Sequence, residues 1–216
     1  MAERSSKETL REEVKKHIIR GISEGRYKSG ERIVETRLAR ELEISQAPVR
    51  EAVLELSILG LLEERPYAGS FVRNPDKDEI DNHYKVRNIL ETFAAEQAAE
   101  ARPEEEMQEM WSVLEEMKEC TDMDVFLDLD HHFHRLIMEA TGNEVLKRLW
   151  LTTSAYETTY KTLLTQIWSI RELYESHLKI YKVIAAGNSA AAAAEMYLHI
   201  DGFRTGVIAN MNTKEE

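Results

Sequence analysis

Residues 35–60 read ETRLARELEISQAPVREAVLELSILG, and two short helices are written into them. Leu38, Ala39 and Leu42 recur at helical spacing behind Glu35, which gives a helix over Glu35–Leu42 with one apolar side. Glu43-Ile44 leads to Ser45, a residue type whose hydroxyl caps the unpaired N–H groups at a helix start. Pro48 falls in the first turn of the next helix, where a missing N–H is tolerated. Val49, Val53, Leu56 and Leu59 make the apolar side of that helix, and Gly60 ends it.

Outward from this pair, Leu10, Val14, Ile18 and Ile22 repeat every four residues and predict an amphipathic helix in front of it. Gly25 to Gly30 reads as a turn. Behind it, Leu61 to Val72 reads as two short strands around Tyr67-Ala68-Gly69, a hairpin signal. Three helices and a β-hairpin in this order form a winged helix-turn-helix pattern. Its physics suits duplex DNA, because a helix fits the major groove and its N-terminal residues meet base edges. Those residues are Ser45, Gln46, Ala47 and Arg50. Arginine pairs bidentately with guanine or holds a phosphate, and glutamine pairs with adenine. Arg37 is placed to clamp the backbone, and Gly69 at the wing tip lets the main chain approach it closely. On periodicity alone, a small helical core with a solvated charged face reads equally well.

The wording of the segment goes further. Gly30-Glu31-Arg32-Ile33, Thr36-Arg37-Leu38-Ala39, Ser45-Gln46-Ala47-Pro48-Val49-Arg50-Glu51-Ala52, Leu56, Gly60-Leu61-Leu62 and Gly69-Ser70-Phe71-Val72 resemble the GntR family of regulators over roughly residues 10–73. The resemblance implies that Arg37, Arg50 and Gly69 contact DNA. The family often carries arginine where Gln46 stands, so the guanine contact of that position is in doubt and a changed operator sequence is expected.

Asn74-Pro75-Asp76 marks the boundary of this head, because proline breaks a strand ladder and holds its predecessor extended. The expected domains are 1–74 and 75–216. Charge divides in the same place. Residues 1–74 hold 14 basic and 13 acidic residues, and residues 75–216 hold 14 and 27, so the net charge of -12 comes from a head at +1 and a body at -13. A near-neutral head still binds DNA if its basic groups share one face. An acidic body is repelled by phosphate. The body reads as about six helices: Asp78–Ala101, Glu104 to near Cys120, Val125–Thr141, Glu144 to about Leu164, Ser169–Ala186 and Ser189 to about Ala209. The fold class is therefore mainly α, with a winged helix-turn-helix ahead of an antiparallel six-helix bundle.

The third body helix carries Asp128, Asp130, His131, His132 and His134 beside a core stripe of Phe126, Leu129, Phe133, Ile137 and Ala140. At about 100° per residue, Asp130 and His134 lie roughly 60° and 100° from Phe133, and His131 lies about 160° away. Asp130 and His134, one turn apart, are the pair that points inward, and a carboxylate and an imidazole at this spacing can share a metal ion. His177 lies on the stripe of Leu173, Ile180, Tyr181 and Ile184, and His199 on that of Ala192, Met196 and Phe203. Both stand eleven residues from Asn188, one before it and one after. Antiparallel helices folding there bring the two to one height, roughly 16 Å from the turn. One Asp and three His suit Zn²⁺ or a similar ion with open positions. A single inward histidine is more often only a hydrogen-bonded core residue.

Arg87-Asn88-Ile89-Leu90-Glu91, Leu129-Asp130-His131-His132-Phe133-His134, Thr141-Gly142-Asn143, Glu175-Ser176-His177 and Met196-Tyr197-Leu198-His199 resemble the FCD ligand-binding domain of FadR-like GntR regulators over about residues 79–210. The short six-helix body looks like the VanR-type branch. The resemblance implies that Asp130, His134, His177 and His199 are metal ligands, with zinc as the ion and nickel or another divalent ion as alternatives. It also implies a small carboxylic acid effector on the metal. Arg87 would pair with that acid, since its fork fits carboxylates; a surface ion pair with Glu91 is the other reading.

The expectation is then a regulator, not an enzyme. It works as a homodimer on palindromic operator DNA, acts as a repressor, and is released by the acid. A metal-dependent hydrolase and a regulator with a purely structural metal are the alternatives. No HExxH motif is present, and no carboxylate stands out as a base. The polar start MAERSSKETL is no signal peptide, no apolar run is long enough for a membrane span, and the one cysteine, Cys120, makes no internal disulfide. A cytoplasmic place and no membrane partner are expected. Trp111, Trp150 and Trp168 read as packing.

Overall fold

The structure is a computed structural model that describes residues 2–157 and 167–215. The chain forms two compact units: the first takes the residues up to Pro75 and also 154–157 among the described residues, and the second takes Asp76–Thr153 and the described residues from 167 on.

The first unit holds α1 (Ala2–Ser23), β1 (Arg32–Ile33), α2 (Glu35–Glu41), α3 (Gln46–Ile58), β2 (Leu62–Arg65) and β3 (Gly69–Val72). Val14, Ile18 and Ile22 of α1, Leu38 and Ala39 of α2, Val49, Ala52, Val53 and Leu56 of α3, and Leu61, Leu62 and Val72 of the hairpin close into one buried cluster. Burying an aliphatic side chain of this size contributes about 1.5–3 kcal/mol each, so this apolar set is what holds the small unit together. The four residues Leu42–Ser45 turn the chain between α2 and α3, with Glu43 in the left-handed region at φ 56°. Ser45 stands at the N-cap as expected, but its side chain makes no cap hydrogen bond.

The sheet has three antiparallel strands in the order β1-β3-β2. The sequence reading found the hairpin and missed β1. Two residues are too short to show strand alternation, and Arg32–Ile33 is a strand only because β3 pairs with it.

The second unit holds α4 (Lys77–Ala101), α5 (Glu104–Glu119), α6 (Met123–Ala140), α7 (Glu144–Glu157) as far as Thr153, α8 (Ile170–Ala185) and α9 (Ser189–Glu215). Helix starts follow side-chain caps. Asp76 and Glu79 form a reciprocal capping box at α4, Ser169 and Glu172 form another at α8, and Asp122 accepts from Asp124 N and Val125 N at α6. The caps at Asp76 and Asp122 start α4 and α6 slightly earlier than periodicity alone suggests. α9 runs past the expected end near Ala209 to Glu215. The expected continuation of α7 to about Leu164 falls, over 158–164, outside the described residues.

α4 and α9 are antiparallel neighbours. Arg204 Nη1 reaches Asp81 Oδ1 at 2.7 Å, Asn88 Nδ2 donates to Tyr197 O at 3.3 Å, and Lys77 Nζ meets Asn212 Oδ1 at 2.8 Å. The turn between α8 and α9 depends on Gly187. Its φ is +69°, and a Cβ there would stand 2.2 Å from the Arg102 guanidinium. Asn188 then caps α9 by accepting from Ala191 N at 3.1 Å.

Candidate metal centre and DNA-reading face

Three helices of the second unit bring four potential ligands together. Asp130 and His134 lie one turn apart on α6, whose buried side runs through Phe126, Phe133, Ile137 and Ala140. His177 lies on α8 between Leu173 and Ile180, and His199 on α9 between Met196 and Phe203. One ligand atom of each of the four lies within 4.8 Å of the others. The three imidazoles are buried, at 1%, 0% and 7% exposure for His134, His177 and His199. The α8–α9 hairpin does place its two histidines level, with ring centroids 4.6 Å apart.

Each imidazole is held from behind. His134 Nδ1 lies 2.5 Å from Glu91 Oε2, His177 Nδ1 donates to Leu173 O at 2.7 Å, and His199 Nδ1 meets Ser176 Oγ at 2.8 Å. In all three rings Nε2 is therefore turned to the centre. His134 Nε2 and His199 Nε2 are 3.2 Å apart, and His177 Nε2 is 2.8 Å from Asp130 Oδ1.

The donor set fits a cation. Leu173 O only accepts, so His177 Nδ1 carries the proton, and the Nε2 lone pair then faces the Asp130 carboxylate unless a second proton or a cation lies between. Ligand bonds of about 2.0–2.1 Å around one ion set neighbouring donors about 2.9–3.4 Å apart, close to the two short separations here. Nitrogen and oxygen donors with outer-shell partners are the usual surroundings of Zn²⁺ and related ions.

Electrostatics favour the same occupant. Burial works to raise the Asp130 carboxyl, but the hydrogen bond from His177 and the histidines around it outweigh burial and hold it far below the carboxylate range. Glu91 is likewise pressed up by burial and pulled down further by Arg87 and His134. Burial alone would lower His134, but Glu91 raises it. Burial, then His177 and His134, press His199 well below its ordinary value. The result is a buried pocket, anionic at Asp130 and Glu91, on which the three imidazole Nε2 atoms converge.

Arg87 is not at the surface. It is 4% exposed, and its Nε donates to Glu91 Oε1 at 2.7 Å. The ion pair with Glu91 exists, but inside the bundle rather than on its outside. Glu91, read from the sequence only as a surface partner for Arg87, instead stands inside the site and backs His134. It occupies the buried stripe Ile80, Tyr84, Arg87, Asn88, Glu91, Ala94, Ala95, and a carboxylate on such a stripe was the available signal. Ser176 gave no comparable signal. His131 is exposed and stacks on Trp150 at 5.0 Å, and His132 meets Glu109 at 2.9 Å, so neither joins the cluster.

In the first unit, Arg37, Ser45, Gln46, Ala47, Arg50 and Gly69 are all exposed. Pro48 and Val49 bury the opposite side of the first turn of α3, which turns Gln46, Ala47 and Arg50 outward. Arg50 Nε stands 3.8 Å from Glu35 Oε2 and its side chain is 81% exposed, so the guanidinium is lightly tethered. Gly69 has φ +97°, a conformation that L side chains adopt only with strain.

Residues 10–72 match the family of bacterial regulatory proteins named gntR, and residues 82–202 match the FCD domain. The chain is 30% identical over 202 residues to the HTH-type transcriptional regulator LutR of Bacillus subtilis (strain 168), covering 83% of this chain and 92% of that one. It is 29% identical to the gluconate operon transcriptional repressor of Bacillus licheniformis, covering 78% and 68%. Its fold is that of E. coli McbR/YncC, with a TM-score of 0.79 at 21% identity over 96% of this chain and 99% of that one. A gntR head with its outward helix end, followed by an FCD body with a buried cluster of histidines, places the chain in the GntR family of bacterial transcriptional regulators, in the group that carries an FCD domain.

Proposed function

We propose that this regulator is a repressor whose hold on palindromic operator DNA is released by a small carboxylic acid bound at a divalent metal ion in the second unit. Asp130, His134, His177 and His199 would hold the ion, zinc by preference. The observation that carries the reading is the convergence of three Nε2 atoms and a carboxylate in a buried site, each imidazole oriented from behind. A bound ion supplies an open position for a carboxylate oxygen. Arg87 then holds the acid by sharing its guanidinium between the ligand and Glu91. The exposed residues Gln46, Ala47 and Arg50 read bases, and Arg37 and the Gly69 backbone hold phosphates.

Two copies are needed for a palindrome. The second unit carries an apolar face that suits a second copy: Val86, Ile89 and Phe93 on α4 are exposed at helical spacing, beside Tyr197 and Leu198 on the adjoining α9. A relative that is a gluconate operon repressor supports repression as the direction of control. Cytoplasmic work on chromosomal DNA follows from the same reading; among the described residues no helix is long and apolar enough to cross a membrane.

The test loads the chelated protein with Zn²⁺ and measures melting across a panel of small carboxylic acids. It then measures the same acids against DNA that the protein selects from a random duplex pool. One acid should raise the melting temperature only when metal is present, and the same acid should weaken the DNA complex. An acid that binds equally well after chelation, or metal-dependent binding that leaves DNA affinity unchanged, would overturn the reading.

A further inference from the structure

The solvent face of the three-stranded sheet carries a group that the recognition helix does not account for. Strand pairing sets Arg32 of β1 and Glu63 of β2 on either side of Phe71 of β3, with Arg65 opposite Gly69 one step further along. These five residues share one face. On the other face Ile33, Leu62, Ser70 and Val72 are buried and Glu64, near the tip of the hairpin, is exposed.

The two arginines on this face differ. Arg65 is occupied: its Nε donates to Glu63 Oε1 at 2.6 Å, and its guanidinium lies over the Phe71 ring at 4.2 Å from the centroid. Arg32 is exposed, and among the described residues it makes no ion pair. It is nevertheless placed. A Cβ on Gly69 would stand 3.2 Å from both Nε and Nη2 of Arg32, so the missing side chain is what lets the guanidinium lie against the wing strand.

We propose that Arg32, seated on Gly69, is a phosphate ligand for duplex DNA at the wing, and that Arg65 is a positioning residue that fixes Phe71 and the hairpin beneath it. This rests on the DNA-binding reading above. A guanidinium already laid on the backbone loses little rotamer freedom when it binds, and its fork matches phosphate oxygens. Glu63, the one carboxylate on this face, is held by Arg65 and so does not compete for Arg32. A phosphate contact sets the register and the strength of binding without reading sequence.

The probe is a duplex that the wild-type protein selects from random sequence, titrated by fluorescence anisotropy between about 50 and 200 mM salt. Arg32→Gln should weaken binding about tenfold for selected and scrambled duplexes alike, and reduce the slope of log affinity against log salt by about 0.9, the value of one phosphate. Arg32→Lys should keep the slope. Gly69→Ala should reproduce part of the loss by displacing the guanidinium. The side chain of Arg32 is exposed, so the two Arg32 variants should melt with the wild type, whereas Gly69→Ala, at a φ of +97°, should melt lower; circular dichroism checks both. An Arg32→Gln protein with wild-type slope and affinity overturns the proposal. So does a loss confined to the selected sequence, since that would be base reading. A wild-type protein that binds no duplex at all overturns the DNA-binding reading itself, and the two failures are distinct.

Discussion

Replacing Glu91 by glutamine tests the proposed metal centre from its outer layer. Glu91 is fully buried and serves two groups, Arg87 Nε at 2.7 Å and His134 Nδ1 at 2.5 Å. Glutamine has the same size, no charge, and one acceptor oxygen in place of two, so one of the two bonds is lost or turned around. Without the carboxylate behind it, His134 is a less basic and less firmly oriented ligand. Losing such a partner costs about 10–100-fold in metal affinity, or about 1.4–2.7 kcal/mol. A second cost falls on the fold. Arg87 loses the charge that balances its own inside the bundle. Breaking a buried pair costs about 3–5 kcal/mol, and the amide oxygen that remains should reduce this to about 2. At roughly 2–4 °C per kcal/mol for a chain of this size, metal-free Glu91→Gln should melt about 4–8 °C below metal-free wild type. The double variant Arg87→Met with Glu91→Leu separates the two effects. With no buried charge left it should regain most of the stability, yet its metal affinity should stay low because His134 is still unsupported. Metal affinity is read by competition with a chromophoric chelator and melting by circular dichroism. A Glu91→Gln protein that binds metal as tightly as the wild type would refute the reasoning, because His134 would then owe nothing to Glu91.

Ser176→Ala removes the partner of His199 Nδ1 at 2.8 Å and should lower metal affinity about tenfold; the same chelator competition checks it, and Ser176→Thr should restore most of the loss. Gly187→Ala forces a Cβ into a φ of +69° and should destabilise the second unit by about 1–2 kcal/mol, seen as a lower urea midpoint. Adding Arg102→Ala should recover little of this, because the strain lies in the backbone and the arginine tip can move aside. Burial, reinforced by Arg87, pushes the half-buried His83 imidazole from its ordinary 6.5 down to about 4. The unfolded chain therefore binds the extra proton first, so the stability tied to neutral His83 is fully present above about pH 6.5 and is lost as pH falls towards 4. His83→Gln should flatten the decline of the urea midpoint over this range, and parallel curves for variant and wild type would count against the assignment.

How far these features were legible depends on whether their signal was local. The helix-turn-helix was legible because apolar spacing, Pro48 and Gly60 all act within one or two turns. The pairing of Asp130 with His134 on α6 was legible because one helix face carries both, and the level of His177 with His199 followed from equal spacing about Asn188. β1 was not legible, since two residues carry no period and their strand state is conferred by β3 from about forty residues away in sequence. The depth of Arg87 was not legible either. The spacing to Glu91 predicts an ion pair on any helix; only the packing of α6 against α4, which brings His134 to Glu91, decides that the pair is internal. Ser176 needed the register of α8 against α9, a property of two helices at once.

The same packing bears on how, under the proposed function, one bound acid would matter to DNA. Arg87, Glu91 and, through His134, the proposed metal site all meet on α4, and α4 is the helix that follows the head's last strand after only the four residues 73–76. An effector shifts DNA affinity only by the difference in its own affinity for the two states of the protein. A hundredfold release of operator requires about 2.7 kcal/mol of such difference. A net hydrogen bond to a charged group contributes about 1.5–3 kcal/mol, so re-sharing the Arg87 guanidinium between Glu91 and a ligand carboxylate is large enough on its own. No rearrangement of the hydrophobic core is called for. An acid that binds the metal but cannot reach Arg87 should therefore stabilise the second unit against heat while leaving operator affinity within a few-fold of its starting value, and such an acid, compared with one that reaches both, isolates the Arg87–Glu91 exchange as the step that carries the signal.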